Sequence, residues 1–312
     1  MANSIEDYFP GGTVPRLRIK NIQAPPAEAA RPEPIDLQAA LQPALDLVSG
    51  KKIAVITGAG ISTDSGLPDY RSPGSPPRNP MTIQQFMASE SFRSHYWARN
   101  HVGWQHPAKA KANVGHKALA ALERRGIVTG VITQNVDMLH AAAGTKRLVN
   151  LHGRGDRVTC TNCGMIMPRS EFDIILKELN PGWAERHIDD VEIAPDADAA
   201  IEQTEGFVVA DCPICGGILR TDVVFFGGSV RPSDTQEART IVSESDAVLV
   251  AGSSLAVASA LRFVREAHRD NKPIVIINRG ETRGDKYAQL HVHVGTSRAL
   301  PYLAENLPDI NR

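Results

Sequence analysis

The sequence predicts an α/β protein: a parallel sheet with helices on both faces, interrupted by a small inserted module. Three observations carry this. Short apolar runs recur at "IAVIT" (53), "IVTGVIT" (127), "VVFF" (223), "AVLVAG" (247) and "PIVIIN" (273). Helical patterns lie between several of them, such as "HKALAALERR" at 116 and "ALRFVREAHRD" at 260. The cysteines fall in two close pairs that break this alternation. Continuous apolar runs suit strands buried on both faces, as parallel strands are.

Taken in order, residues 1–34 are rich in Pro, Ala and charge ("APPAEAARPEP") and read as a tail. Leu37, Leu41, Ala44, Leu45 and Val48 recur at helical spacing, with Gly50 as the stop. Polar motifs then fall at the strand ends: "TGAG" after the first run, "TQNVD" after the second, "GSS" after "VLVA" and "NRG" after "IVII". Ligands of such sheets bind at the carboxyl ends, where the strand order reverses. Four strand ends with glycine, amide and hydroxyl groups predict one shared nucleotide crevice in a Rossmann-like sheet. The first loop breaks the dinucleotide rule G-x-G-x-x-G, because Thr63 stands where the third glycine belongs. The chain divides into a Rossmann-like part, 35–155 and 220–312, and an insert, 156–219. Residues 170–210 form a long acidic excursion between the cysteine pairs, open to a functional reading or that of a passive surface elaboration.

Cys160, Cys163, Cys212 and Cys215 read as C-x2-C, 48 intervening residues, then C-x2-C, with Gly164 and Gly216 just after each pair. Two such knuckles supply four thiolates for a tetrahedral Zn²⁺. Four sulfurs leave no open position for a catalytic water, so one structural zinc is expected. With 312 residues, 42% apolar and 22% charged, the chain has the composition of a soluble globular protein. A net charge of −1 gives no electrostatic reason to expect nucleic acid or anionic membrane as a partner. No apolar run approaches the roughly 20 residues that span a bilayer. The N-terminus lacks a secretory layout, so a cytoplasmic, monomeric protein is expected.

The ordered set "GAGIS…GLPDYR", "TQNVD", "LHG", C-x2-C…C-x2-C, "VVFFG", "GSSL" and N-x-G resembles the sirtuin family, from about residue 45 to 300. "YWARN…GW", "VTCTNCG", "NPGW" and "DVVFFGG" look most like its class II branch, which includes a mitochondrial lipoamidase of animals. The resemblance implies NAD⁺-dependent removal of acyl groups from protein lysines, with NAD⁺ consumed, and in some members ADP-ribosyl transfer. It also accounts for the broken glycine rule. A dehydrogenase keeps NAD⁺ intact, whereas a sirtuin breaks the nicotinamide–ribose bond and needs a loop that bends the cofactor.

By the same resemblance, Gly58, Ala59, Gly60, Thr63, Asp69, Tyr70 and Arg71 line the cofactor pocket. Gln134, Asn135 and Asp137 form its ribose and nicotinamide side. Gly252, Ser253, Ser254, Asn278, Gly280 and Thr296 hold phosphate and adenosine. His152 is the implied general base, taking a proton from the ribose hydroxyls so that the 2′-oxygen can attack the captured acyl carbon. An imidazole suits that transfer near neutral pH. His291 and His293 read as ordinary surface residues of a strand. Val224, Phe225, Phe226 and Gly227 match the edge to which a substrate peptide adds as a strand. Tyr96 and Arg99 share a helix face in "SHYWARN" and are expected to grip an acidic acyl group. Two departures are Gly228, where the family often has an acid, and Ser259, where its L-x-V-x-P pattern has proline. Rival readings are mono-ADP-ribosyl transfer, a non-catalytic NAD⁺ sensor and a zinc-ribbon nucleic-acid binder.

Overall fold

The computed structural model describes residues 33–70, 80–187, 192–201 and 203–310. Residues 1–32 of the expected tail, and Arg71, lie outside them. In chain order the elements are α1 (Leu37–Val48), β1 (Ile53–Thr57), α2 (Ile83–Ala88), α3 (Glu90–Gly103), α4 (Val114–Arg124), β2 (Val128–Thr133), α5 (Leu139–Ala142) and β3 (Leu148–Asn150). Then come β4 (Gly153–Cys160), β5 (Ile166–Pro168), α6 (Arg169–Leu179), α7 (Trp183–His187) and β6 (Leu219–Val223). The last are α8 (Pro232–Ser243), β7 (Ala247–Ala251), α9 (Ala258–Arg269), β8 (Ile274–Ile277), β9 (Leu290–Val292) and α10 (Thr296–Asn306).

Six strands pair in the order β3-β2-β1-β7-β8-β9, every ladder parallel. The chain builds outward from β1 in one direction, returns, and builds outward from β7 in the other. The strand order therefore reverses between β1 and β7, the place where such sheets bind ligands. Alternate residues of β1 feed two cores: Ile53 and Val55 pack with α1, α4 and α10, while Ala54 and Ile56 pack with α8 and α9. Both faces are covered, which is why all five residues of β1 and of β7 are buried.

The run at 223 departs from the expected parallel strand. Its neighbours fold as β6, in a separate antiparallel sheet of order β5-β4-β6, and Val224–Gly227 lie beyond its end. This small sheet shares a third core with α2 and α3, through Phe86, Trp97, Val158, Phe172 and Phe225. The helices at 83–103 thus pack on the inserted unit rather than on the parallel sheet. Thr82 and Gln85 cap the first reciprocally, and Ser89 accepts the Phe92 N–H at the start of the second. Among the described residues no helix is long and apolar enough to cross a membrane.

A candidate active site at the strand reversal

The loops leaving β1 and β7 touch each other at the reversal. Gly60 N–H donates to the Gly252 carbonyl at 2.9 Å. A Cβ on Gly60 would lie 2.8 Å from that oxygen, and one on Gly58 would lie 2.9 Å from Ser253 Cβ. Gly252 adds a left-handed φ of 64°. The glycines therefore let two strand-end loops meet, and the Gly60 N–H is engaged by the protein itself. Past them the chain makes two single 3-10 turns, Ala59–Ile61 and Thr63–Ser65, instead of a helix. Thr63 closes back onto the Gly60 carbonyl at 3.1 Å. Asp69 and Tyr70 follow at the far end of this loop, both half-buried.

The "TQNVD" loop locks onto the first loop. Asn135 Nδ2 donates to the Gly58 carbonyl and to Ser62 Oγ, each at 3.1 Å. Ser62 Oγ in turn donates to Asp137 Oδ2 at 2.6 Å, and Asp137 Oδ1 accepts the Leu139 N–H at 2.9 Å. Gln134 Nε2 reaches Ser253 Oγ at 2.7 Å, tying this loop to the one after β7. Behind lie two buried histidines with ring centroids 4.8 Å apart. His116 is held by Asn113 Oδ1 at 3.0 Å, and His140 by Thr57 Oγ1 at 2.9 Å. Burial lowers both; His116 falls to about 4, although nearby Asp137 pulls the other way. Both rings are neutral at pH 7, so Asp137 and its hydroxyl donor face an uncharged wall.

His152 sits between β3 and β4, where its carbonyl accepts the Val224 N–H at 2.8 Å. Burial lowers its pKa, and a hydrogen bond to the Gln134 backbone partly offsets this. Its Nε2 lies 2.8 Å from Ser259 Oγ, near the start of α9. Asn278, expected to contact the adenosine, follows β8 and donates to the Gly280 carbonyl at 2.7 Å. A Cβ on Gly280 would meet nothing within 4 Å. Ser254 is half-buried beside Ser253, and Thr296 opens α10 with a buried hydroxyl that lacks a hydrogen-bond partner. His291 and His293 flank Val292 with their rings tilted at 32° and centroids 3.9 Å apart, and His291 Nδ1 lies 3.0 Å from Asp285 Oδ1.

The helix pair expected to grip an acyl carboxylate is divided between other partners. Tyr96 Oη lies 2.6 Å from Thr221 Oγ1, and its half-buried ring packs against Phe86 and Phe225; burial raises its pKa. Arg99 places its guanidinium fork on Asp198, with Nε and Nη2 at 2.6 and 2.7 Å from the two carboxylate oxygens. The acidic excursion thus supplies its own carboxylate to Arg99. It also lies close on α3: a Cβ on Gly103 would stand 2.1 Å from the Ala197 carbonyl oxygen, and Ser94 Oγ donates to the Phe207 carbonyl. A cleft beside it is lined by Tyr96, Trp104, Val136, Asp137, Gly155, Thr221 and Val223 and, from the excursion, by Pro195–Ala197. Past Val223 the Phe226 carbonyl accepts the Ile83 N–H at 2.9 Å, and Gly227 turns the chain at a φ of 73°.

The four cysteine sulfurs lie within 4.8 Å of one another. Cys160 and Cys215 Sγ are 3.6 Å apart, and Cys163 and Cys212 Sγ are 3.7 Å apart. A tetrahedron with Zn–S bonds of about 2.3 Å has edges of about 3.8 Å, so the set fits Zn²⁺ and is far too wide for disulfides. Gly164 and Gly216 take the left-handed φ values, 72° and 66°, that fold each knuckle back on its first cysteine. The Asn162 side chain and the Gly217 N–H draw Cys215 down to about 6, toward the thiolate a metal requires.

A family model described as the Sir2 family matches residues 58–259. The chain belongs to the Sir2 family. It is 52% identical over 263 residues to NAD-dependent protein deacetylase 1 of Mycobacterium avium, covering 84% of this chain and 93% of that protein. A Streptomyces coelicolor protein of the same name is 45% identical over 271 residues, covering 86% and 90%. A solved Sir2 structure with a p53 peptide and NAD⁺ superposes with a TM-score of 0.68 at 30% identity, covering 85% of this chain and 97% of that one. The class of enzyme expected from the sequence, an NAD-dependent protein deacylase of the sirtuin family, is the one that this membership carries.

Within this sirtuin site, sequence reading passed over Ser62, Asn113, His116 and His140. Ser62 lies within "GAGIS" and His116 opens the helical pattern "HKALAALERR", and no local pattern marks either as a site residue. A signal existed: His116 and His140 occupy fully buried positions next to a motif loop, where an unneeded imidazole would be costly. Ser259 was noticed as a departure, without its partner.

Proposed function

We propose that this sirtuin removes acyl groups from protein lysines with consumption of NAD⁺, His152 serving as the general base. The observation that carries this reading is the Leu151 N–H donating to the Thr133 carbonyl at 2.8 Å, which brings His152 beside the loop that begins at Gln134. It sets the base against the loop whose next residues, Asn135 and Asp137, are engaged with Ser62. NAD⁺ supplies, as a substrate, an activated bond between nicotinamide and ribose. The chain's own groups do the rest. Asn135, Ser62 and Asp137 hold a fixed set of hydrogen-bonding groups at the nicotinamide side, where burial strengthens each interaction. His152, neutral because burial lowers its pKa, takes a proton from a ribose hydroxyl. The cleft lined by Pro195–Ala197 keeps the acyl-lysine end dry and in line. Val224–Gly227 and the 82–84 segment offer backbone to an extended peptide.

We assign the chain to the class II branch on "YWARN…GW", "VTCTNCG", "NPGW" and "DVVFFGG". The p53 peptide of the related Sir2 complex is the model for its partner, an acetylated lysine in an extended segment. The test is incubation with NAD⁺ and a panel of acyl-lysine peptides, with products identified by mass. Free nicotinamide, deacylated peptide and 2′-O-acyl-ADP-ribose in equal amounts are expected. ADP-ribosylated protein without acyl-ADP-ribose would replace this reading by transfer to protein.

A further inference from the structure

The departure at Ser259 and the base His152 are one feature of the structure. Ser259 Oγ lies 2.8 Å from His152 Nε2, across 107 residues of sequence. Among the described residues the Ser259 side chain makes no other hydrogen bond. It is the second residue of α9, whose entry follows the "GSSL" loop at the end of β7. The helix start therefore carries this hydroxyl to the nucleotide crevice as a consequence of the fold.

We propose that Ser259 is a positioning residue for His152, holding the imidazole so that Nε2 is the nitrogen presented for proton transfer. The inference rests on the base assignment above. A neutral imidazole has one donor and one acceptor nitrogen. In the tautomer that carries its N–H on Nδ1, Nε2 is the acceptor and the serine O–H donates to it. Among the described residues, Ser259 is the only side chain hydrogen-bonded to the His152 ring. Nε2 has a single lone pair, so the serine hydroxyl releases it as a ribose hydroxyl enters; Nε2 then takes the ribose proton, and that oxygen keeps the electron pair for attack on the acyl carbon. The rotated serine hydroxyl accepts from the new Nε2–H, so the same partner serves both protonation states. Proline, found here in the L-x-V-x-P pattern, has no hydroxyl for either task.

The experiment compares nicotinamide exchange with deacylation of an acetyl-lysine peptide in Ser259→Ala, Ser259→Pro, Ser259→Thr and His152→Tyr. Exchange needs only nicotinamide loss and return, whereas deacylation also needs the base. Losing one hydrogen bond to the base should raise the exchange-to-deacylation ratio about ten-fold in Ser259→Ala. Ser259→Pro should match it, since a first-turn N–H has no acceptor within its helix and proline is tolerated there. Ser259→Thr, which keeps the hydroxyl, should restore the wild-type ratio. An unchanged ratio in Ser259→Ala, or equal loss of both rates without rescue by threonine, overturns the assignment of Ser259 alone. Full deacylation by His152→Tyr overturns the base assignment, and this inference with it.

Discussion

The fork between Arg99 and Asp198 makes a quantitative test of what the acidic excursion does. Both oxygens of Asp198 are engaged, at 2.6 and 2.7 Å, and the two side chains are 23% and 24% exposed. A fully exposed pair would contribute less than about 1 kcal/mol, and breaking a fully buried one costs about 3–5 kcal/mol. Bidentate geometry at a quarter exposure places the coupling between these, at about 1–2 kcal/mol. The assay is a double-mutant cycle in chemical denaturation with Arg99→Met, Asp198→Ala and the pair. If the fork pins the excursion against the cleft, each single change should also slow acetyl, succinyl and branched glutaryl peptides by a common factor, about five- to thirty-fold for that coupling. A selective loss of acidic acyl substrates in Arg99→Met, with coupling below about 0.3 kcal/mol, would refute the pin and return Arg99 to the acyl group.

His152→Tyr should lower deacylation at least 100-fold, within the usual range of about 10²–10⁴ for general base catalysis, while NAD⁺ affinity by calorimetry changes only a few-fold. Chelation should release about one Zn²⁺ per chain and abolish the circular-dichroism signal of the small sheet, because the metal's binding energy is folding energy; full activity of the metal-free chain contradicts a structural role. Stability should also decline with acid. The unfolded chain protonates its histidines below their ordinary value of 6.5, whereas folded His116 resists down to about 4 and His140 is shifted the same way. The unfolded state therefore binds more protons in that window, so stability is complete above 6.5 and is lost progressively toward 4. Denaturant midpoints of wild type and His116→Asn should converge across that window; a constant gap would mean that the buried ring is not the cause.

What the sequence disclosed and what it hid follow from the range of the interactions. β1, β2, β7 and β8 were legible because a strand covered on both faces has to be apolar along its whole length. The outer strands β3 and β9 are three residues each and half-covered, so their patterns are weak. "VVFF" carried the same apolar signal as a parallel strand, but apolarity does not say which sheet buries it. That was decided by pairing of β6 with β4 and by Phe225 against Phe86, 139 positions earlier in the chain. α2 and α3 joined the inserted core for the same reason. Within the site, groups next to glycine in a strand-end motif were visible, since backbone geometry restricts those positions locally. The groups that orient them were not: His116 lies 54 residues from Ser62, and Ser259 lies 107 from His152. Such partners leave no periodic or local mark, because any element that brings a hydroxyl or an imidazole to the right point will do. The one trace they leave is a residue that local rules do not demand: a histidine on a buried helix face, or a serine where proline would start the helix as well. At Ser259 that trace coincides with a 2.8 Å contact to His152, the proposed base. A position that seemed to weaken the family pattern is therefore where this chain can adjust its own chemistry.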